Sequence, residues 1–221
     1  MAPRTLNIPT TTHGRVLIHD APDPEAILIG FHGYTEDADI QLDRLRQIPG
    51  SHRWTLVAAQ GLHRFYRGRS KNVGASWMTR QDRELMIADN IEYANRVIEA
   101  TVPPGVPFVT AGFSQGVAMA FRAAMRGARR ADGVIAVGGD VPPELLEDPA
   151  SVFPPVLLLQ GKDDEWYTAE KLSSDVKALE SRGVDVTAVT YEAGHVWTDA
   201  VSREAAAFIQ RRLASTRPQH P

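Results

Sequence analysis

Residues 108–125 read FVTAGFSQGVAMAFRAAM, and this stretch decides the fold. Phe108 to Ala111 is a short apolar run of strand length, entered after Pro103, Pro104 and Pro107, which end one element and start the next. Val117 to Met125 is apolar almost all round, the mark of a helix buried at the centre of a molecule. Between them stands Gly112-Phe113-Ser114-Gln115-Gly116. A G-x-S-x-G string alone is modest support for anything, but a strand before it and a helix after it change its meaning. The turn is so tight that flanking side chains would collide, hence glycine two positions before and two after the serine. Such a turn lifts the Ser114 hydroxyl above the sheet and aims the N–H groups of the new helix, chiefly that of Gln115, at whatever reacts there. The plainer reading makes Ser114 the N-cap of that helix, a place serine fills well.

Outward from this centre the chain alternates strand-length apolar runs with helical periodicities. The runs are Ala26 to Phe31, Trp54 to Ala58, Val134 to Val137, Val156 to Leu159 and Val186 to Tyr191. Helical stripes fall at Ile87, Ile91, Ala94 and Ile98, at Leu172, Val176 and Leu179, and at Val201, Ala205, Phe208 and Ile209. That alternation predicts an α/β fold, a mostly parallel central sheet with helices on both faces, and with the serine turn it predicts the α/β-hydrolase arrangement. Thr5 to Ile8 and Arg15 to His19 alternate across a turn and predict an edge hairpin. At 221 residues one domain is expected over 1–214, with a short flexible tail over 215–221.

A serine hydroxyl is a weak nucleophile until a base takes its proton. His195 is the expected base: it follows the run Val186 to Tyr191 in the loop Glu192-Ala193-Gly194-His195, and such loops carry the sites of open α/β sheets. The orienting carboxylate is expected after Val156 to Leu159, where Asp163 and Asp164 both qualify. The order Ser, Asp, His along the chain suits this fold. His32-Gly33-Tyr34-Thr35 follows Ala26 to Phe31, and in this fold that loop supplies a second oxyanion donor, assigned to the Tyr34 N–H beside that of Gln115. His32 is read as an anchor of the loop and not as a second base.

Composition narrows the classes. Apolar residues are 43% and charged residues 23% of the chain, near the average for globular proteins. A net charge of -3 gives no basic field for nucleic acid. The local run Arg64, Arg67, Arg69 and Lys71 is read as a solvated loop, the lesser alternative being a contact for an anionic substrate group. There are no cysteines, so disulfides and thiolate metal sites are excluded. No metal motif is present, no cofactor is expected, and no window approaches a membrane span. Without a signal-peptide pattern the expected location is cytoplasmic. Homodimerisation stays open.

With those residues in hand the chain resembles the phospholipase/carboxylesterase family of α/β-hydrolases, which includes carboxylesterases, lysophospholipases and acyl-protein thioesterases. The resemblance is carried by Phe31-His32-Gly33, Ser76-Trp77, Gly112 to Gly116, Gly161-Lys162-Asp163-Asp164 and Tyr191 to His195. It implies Asp164 as the acid and a small enzyme without a large lid domain. Two departures stand out. The family carries a further glycine where this chain has Thr35, and proline with aliphatic residues where this chain has Glu165-Trp166-Tyr167.

The expected reaction is hydrolysis of a carboxylic ester through an acyl-serine intermediate, with lysophospholipids or thioesters as variants. The partner is then a small-molecule ester. Trp77, Met78, Trp166, Tyr167 and Trp197 are candidates for an apolar wall around the acyl group, and bulky aromatics there would favour short acyl chains. Two other readings compete: a serine peptidase or amidase sharing the same three residues, and a ligand-binding protein that kept the fold without the chemistry.

Overall fold

The structure is a computed structural model and describes residues 3–127 and 129–216. Its centre is a seven-stranded sheet in the order β1-β3-β2-β6-β7-β8-β9, formed by β1 (Val16–His19), β2 (Ala26–Phe31), β3 (Trp54–Ala59), β6 (Phe108–Phe113), β7 (Gly133–Val137), β8 (Val156–Gly161) and β9 (Val186–Tyr191). All neighbours pair in parallel except β1, which runs antiparallel to β3 at the edge. A separate hairpin joins β4 (His63–Tyr66) to β5 (Val73–Ser76).

The helices are α1 (Ala38–Arg46), α2 (Arg83–Thr101), α3 (Gln115–Arg126), α4 (Pro143–Glu147), α5 (Ala169–Glu180) and α6 (Asp199–Thr216). Successive side chains of a strand point to opposite faces, so each inner strand feeds two cores. Ile27, Ile29 and Phe31 of β2 pack with α2, α3, α4 and α5. Ala26 and Leu28 of the same strand pack with α1 and α6 on the other face. Burial on both sides is why these strands read as continuous apolar runs. Asp37 caps α1 by accepting the Ile40 N–H at 3.0 Å, which satisfies one of the donors that a helix start leaves unpaired.

Three expectations about the elements change. Thr5 to Ile8 is not a strand: Leu6 and Ile8 are 68% and 74% exposed, and alternation makes a strand only where one face is buried. β1 instead takes its partner from β3. The basic run is not a simple loop either. Arg64 lies in β4, Arg67 bonds Asp37 at 2.7 Å, and Arg69 and Lys71 sit in the connecting turn. At the C-terminus Ser215 and Thr216 continue α6, so the expected tail begins inside a helix, and 217–221 lie outside the described residues. Among the described residues no helix is long and apolar enough to cross a membrane.

Candidate active site

Parallel strands put their C-terminal ends on one edge of the sheet, and Tyr34, Ser114, Gln115, Asp164 and His195 all follow such ends. At the end of β6 the backbone turns sharply at Ser114, with φ 53° and ψ -120°. This is a sparsely populated conformation for a residue with a side chain. The Ser114 N–H is held by Val137 O at 2.9 Å. The glycines explain themselves: a methyl group on Gly112 would come within 2.6 Å of Val117 Cα, and one on Gly116 within 2.6 Å of His32 O. Ser114 makes no side-chain capping bond to α3, so its hydroxyl is not spent on the helix.

His195 Nδ1 lies 2.7 Å from Asp164 Oδ2. The other carboxylate oxygen, Oδ1, accepts the N–H groups of Trp166 at 2.8 Å and Tyr167 at 2.9 Å. Three partners fix the Asp164 side chain, which is wholly buried. Asp163 is exposed and uses its backbone N–H on Ala193 O. With Nδ1–H donated to the carboxylate, the free lone pair of His195 is on Nε2. The Tyr191 hydroxyl, donating to Val196 O at 2.9 Å, holds the loop on the far side of His195, and burial pushes that phenol up to about 12.

Two contacts bring the pair to the serine. The Phe113 ring, one residue before Ser114, lies 4.9 Å from the His195 ring. Gly138 and Gly139 follow β7. A methyl group on Gly138 would lie 3.1 Å from His195 Cε1 and 3.2 Å from Asp164 Oδ2, and one on Gly139 would lie 2.5 Å from Ser114 O. The two glycines thus let this strand end pass between elbow and imidazole. Sequence reading missed them, although a Gly-Gly pair directly after a predicted inner strand is a legible sign of close backbone approach.

The loop after β2 closes the site. His32 is buried and bridges two backbone groups, with Nδ1 2.6 Å from Gly33 O and Nε2 accepting the Gly61 N–H at 2.9 Å. These partners set a neutral ring, and burial lowers its proton affinity further. His32 is the anchor it was read to be. The Gly33 N–H goes to Glu36 Oε2 at 2.8 Å and the Thr35 N–H to Ala75 O at 3.1 Å. The N–H groups of Tyr34 and Gln115 have no acceptor among the described residues. The close packing of Gly116 on Phe31 and His32 carbonyls brings their two backbone segments together.

Sequence reading also missed Glu36 and Arg44. Arg44 donates to both oxygens of Glu36, at 2.5 and 2.6 Å. Burial alone would raise the Glu36 carboxyl, but the Arg44 guanidinium and the Gly33 N–H together outweigh it and the acid is held below its usual value. The same guanidinium carbon sits 4.1 Å from the centre of the Phe113 ring.

The expected aromatic wall is mostly core. Trp77 is fully buried and donates its indole N–H to His32 O at 2.8 Å. Tyr167 gives its hydroxyl to Asp175, and Trp197 gives its N–H to Ser202. Met78 is buried against α3, its carbonyl taken by the Gln115 side chain at 2.9 Å. Only Trp166 of the five is exposed, at 74%. Tyr34 and Val196, the latter following His195 in the chain, are exposed as well. Among the described residues no group of three His, Asp or Glu side chains could hold a metal ion.

A profile of the phospholipase/carboxylesterase family matches residues 14–213. Among solved structures, acyl-protein thioesterase 2 of Zea mays superposes with a TM-score of 0.72 at 16% identity, covering 91% of this chain and 100% of that one. The Bacillus cereus carboxylesterase gives 0.70 at 14% identity, covering 90% and 94%. TT1662 from Thermus thermophilus gives 0.67 at 25% identity, covering 90% and 93%. No protein with a curated description matches the chain.

Proposed function

The chain belongs to the phospholipase/carboxylesterase family of hydrolases, and from that premise we propose that it hydrolyses carboxylic esters through an acyl intermediate on Ser114. The observation that carries the reading is the 2.7 Å bond from His195 to a buried, fully partnered Asp164, beside a serine whose strained turn leaves its hydroxyl uncapped. In the first half-reaction His195 Nε2 takes the Ser114 proton as Oγ attacks the carbonyl carbon, and Asp164 stays ionised and stabilises the imidazolium. The oxyanion that forms is met by the N–H groups of Tyr34 and Gln115, each worth about 3 kcal/mol of barrier. His195 then returns the proton to the leaving alkoxide. In the second half a water molecule attacks the acyl-serine with His195 again as base, releasing the acid.

Burial of Trp77, Met78, Tyr167 and Trp197 removes the ground for expecting a narrowed, short-chain pocket. Substrate contacts fall instead to Tyr34, Trp166 and Val196: Tyr34 carries a proposed oxyanion donor, the Trp166 N–H bonds Asp164, and Val196 follows His195. A thioester fits the same steps with a thiolate as leaving group.

Incubation with a fluorophosphonate tests the proposal without presuming a substrate. A single adduct mapped to Ser114, absent from Ser114→Ala, is the expected result. A folded protein that takes no adduct would overturn it and leave a ligand-binding role.

A further inference from the structure

Arg44 stands where two parts of the site meet. Its guanidinium edge holds Glu36, whose Oε2 also takes the Gly33 N–H, and Gly33 precedes the proposed donor Tyr34. Its carbon lies 4.1 Å from the Phe113 ring centre, and that ring touches His195 at 4.9 Å between centroids. Gly33 is wedged into the same corner, for a methyl group there would come 3.0 Å from Glu36 Oε2 and 3.1 Å from Phe113 Cδ1. Both members of the ion pair are largely buried, with side chains 13% and 19% exposed. A surface pair would be worth little. This one ties the loop after β2 to α1 at the point where α1 covers the Phe113 ring.

Resting on the hydrolytic reading above, we propose that Arg44 is a positioning residue for that reaction: it fixes the loop bearing the Tyr34 donor against the Phe113 ring on which His195 packs. The planar fork suits the task, because it can grip a carboxylate along one edge while its face lies on an aromatic ring. Arg44 and Glu36 are also a pair of opposite charges placed one ring away from the imidazole. The groups around His195 are Asp164 from the loop after β8, Tyr191 from the end of β9, the exposed Lys162–Glu192 pair, and Arg44 with Glu36 beyond Phe113. β6 and β7 present Phe113 and Gly138, which do not titrate. Glu36 offsets the Arg44 charge, so removing either partner exposes His195 to the other.

The test is the rate of fluorophosphonate modification of Ser114 across pH, in the full chain and in Arg44→Met, Arg44→Lys and Glu36→Gln, each first shown to be folded by its melting transition. The rate is expected to rise with pH to a plateau, because a general base takes a proton only in its unprotonated form. With Arg44 gone a cation no longer opposes the imidazolium, so Arg44→Met should move the midpoint up by roughly half a pH unit or more; Glu36→Gln leaves Arg44 unopposed and should move it down. Arg44→Lys keeps the charge without the fork, so it should restore the midpoint but keep a plateau about tenfold below the parent. Midpoints unmoved, or moved in the same direction by Arg44→Met and Glu36→Gln, would overturn the proposal while leaving the Ser114 chemistry standing. No modification of the parent chain at any pH would overturn both.

Discussion

The Tyr167 hydroxyl donates to Asp175 Oδ2 over 2.9 Å, well inside the core and three residues after the proposed acid. That carboxylate oxygen also takes the Val141 N–H at 3.1 Å, so one buried aspartate ties the segment after β8 to the segment after β7. Removing the hydroxyl leaves a buried acceptor short of a partner. Tyr167→Phe should lose about 1–3 kcal/mol of stability, measured by urea denaturation at neutral pH.

Asp175 also gives stability a pH dependence. Burial pushes its carboxyl above the ordinary aspartate value of 3.8, and the bonds from Val141 and Tyr167 only partly oppose this. The folded state therefore holds a proton that the unfolded chain has already released. That contribution is fully present below the ordinary value and is lost as pH rises through the raised one. Denaturation midpoints from about pH 4 to about pH 7 should fall less steeply for Asp175→Asn than for the parent; parallel curves would contradict the assignment.

The two neighbouring aspartates should separate completely in kinetics. Asp164→Asn disrupts the partner that holds His195 in its tautomer and should slow ester hydrolysis roughly ten-thousand-fold. Asp163→Asn removes an exposed carboxylate and should stay within about twofold. Steady-state kcat/KM on a simple aryl ester reads both.

Much of this arrangement is legible in the sequence, and the limits are physical. β2, β3 and β6 to β8 announce themselves because both their faces are buried, β9 at the sheet edge by its β-branched run alone, and the glycine spacing around Ser114 records contacts made within a few residues. Asp164 could not be told from Asp163 by local pattern, since what separates them is which one meets His195, 31 positions away. The β4–β5 hairpin has four-residue strands, HRFY with alternating burial and VGAS without it, joined by a turn that carries Arg67, Arg69 and Lys71, too short and too charged to stand out from a loop. Trp77, Tyr167 and Trp197 looked like a substrate wall because aromatic residues fit either setting. Their acceptors, His32 O, Asp175 and Ser202, decide for the core, and nothing in the sequence beside the first two names them.

Glycine substitutions give a graded check on the elbow. Gly116→Ala drives a methyl group into the carbonyls of Phe31 and His32, backbone that cannot move aside, and should cost about 3 kcal/mol or more. Gly105 has a positive φ of 79° but open space around it, so Gly105→Ala should cost only about 1–2 kcal/mol. Thermal melts of the two variants compare them directly.

Thr35 takes φ 67°, a left-handed conformation that a β-branched residue adopts only under constraint. The constraint is visible in the Thr35 N–H on Ala75 O and the Ala75 N–H on Glu36 O. Thr35→Gly should relieve about 1–2 kcal/mol of strain against about 0.5–1 kcal/mol of added chain entropy. The net expectation is a slightly more stable protein by urea titration.

Ser114, Asp164 and His195 hang from the ends of β6, β8 and β9, which lie at the first, third and fourth places of the run β6-β7-β8-β9. No contiguous stretch of the chain holds the site, and parallel pairing of distant strands is a slow event in folding. During refolding, reactivity at Ser114 should thus trail the return of helical signal, and its appearance times the moment when the last strand docks.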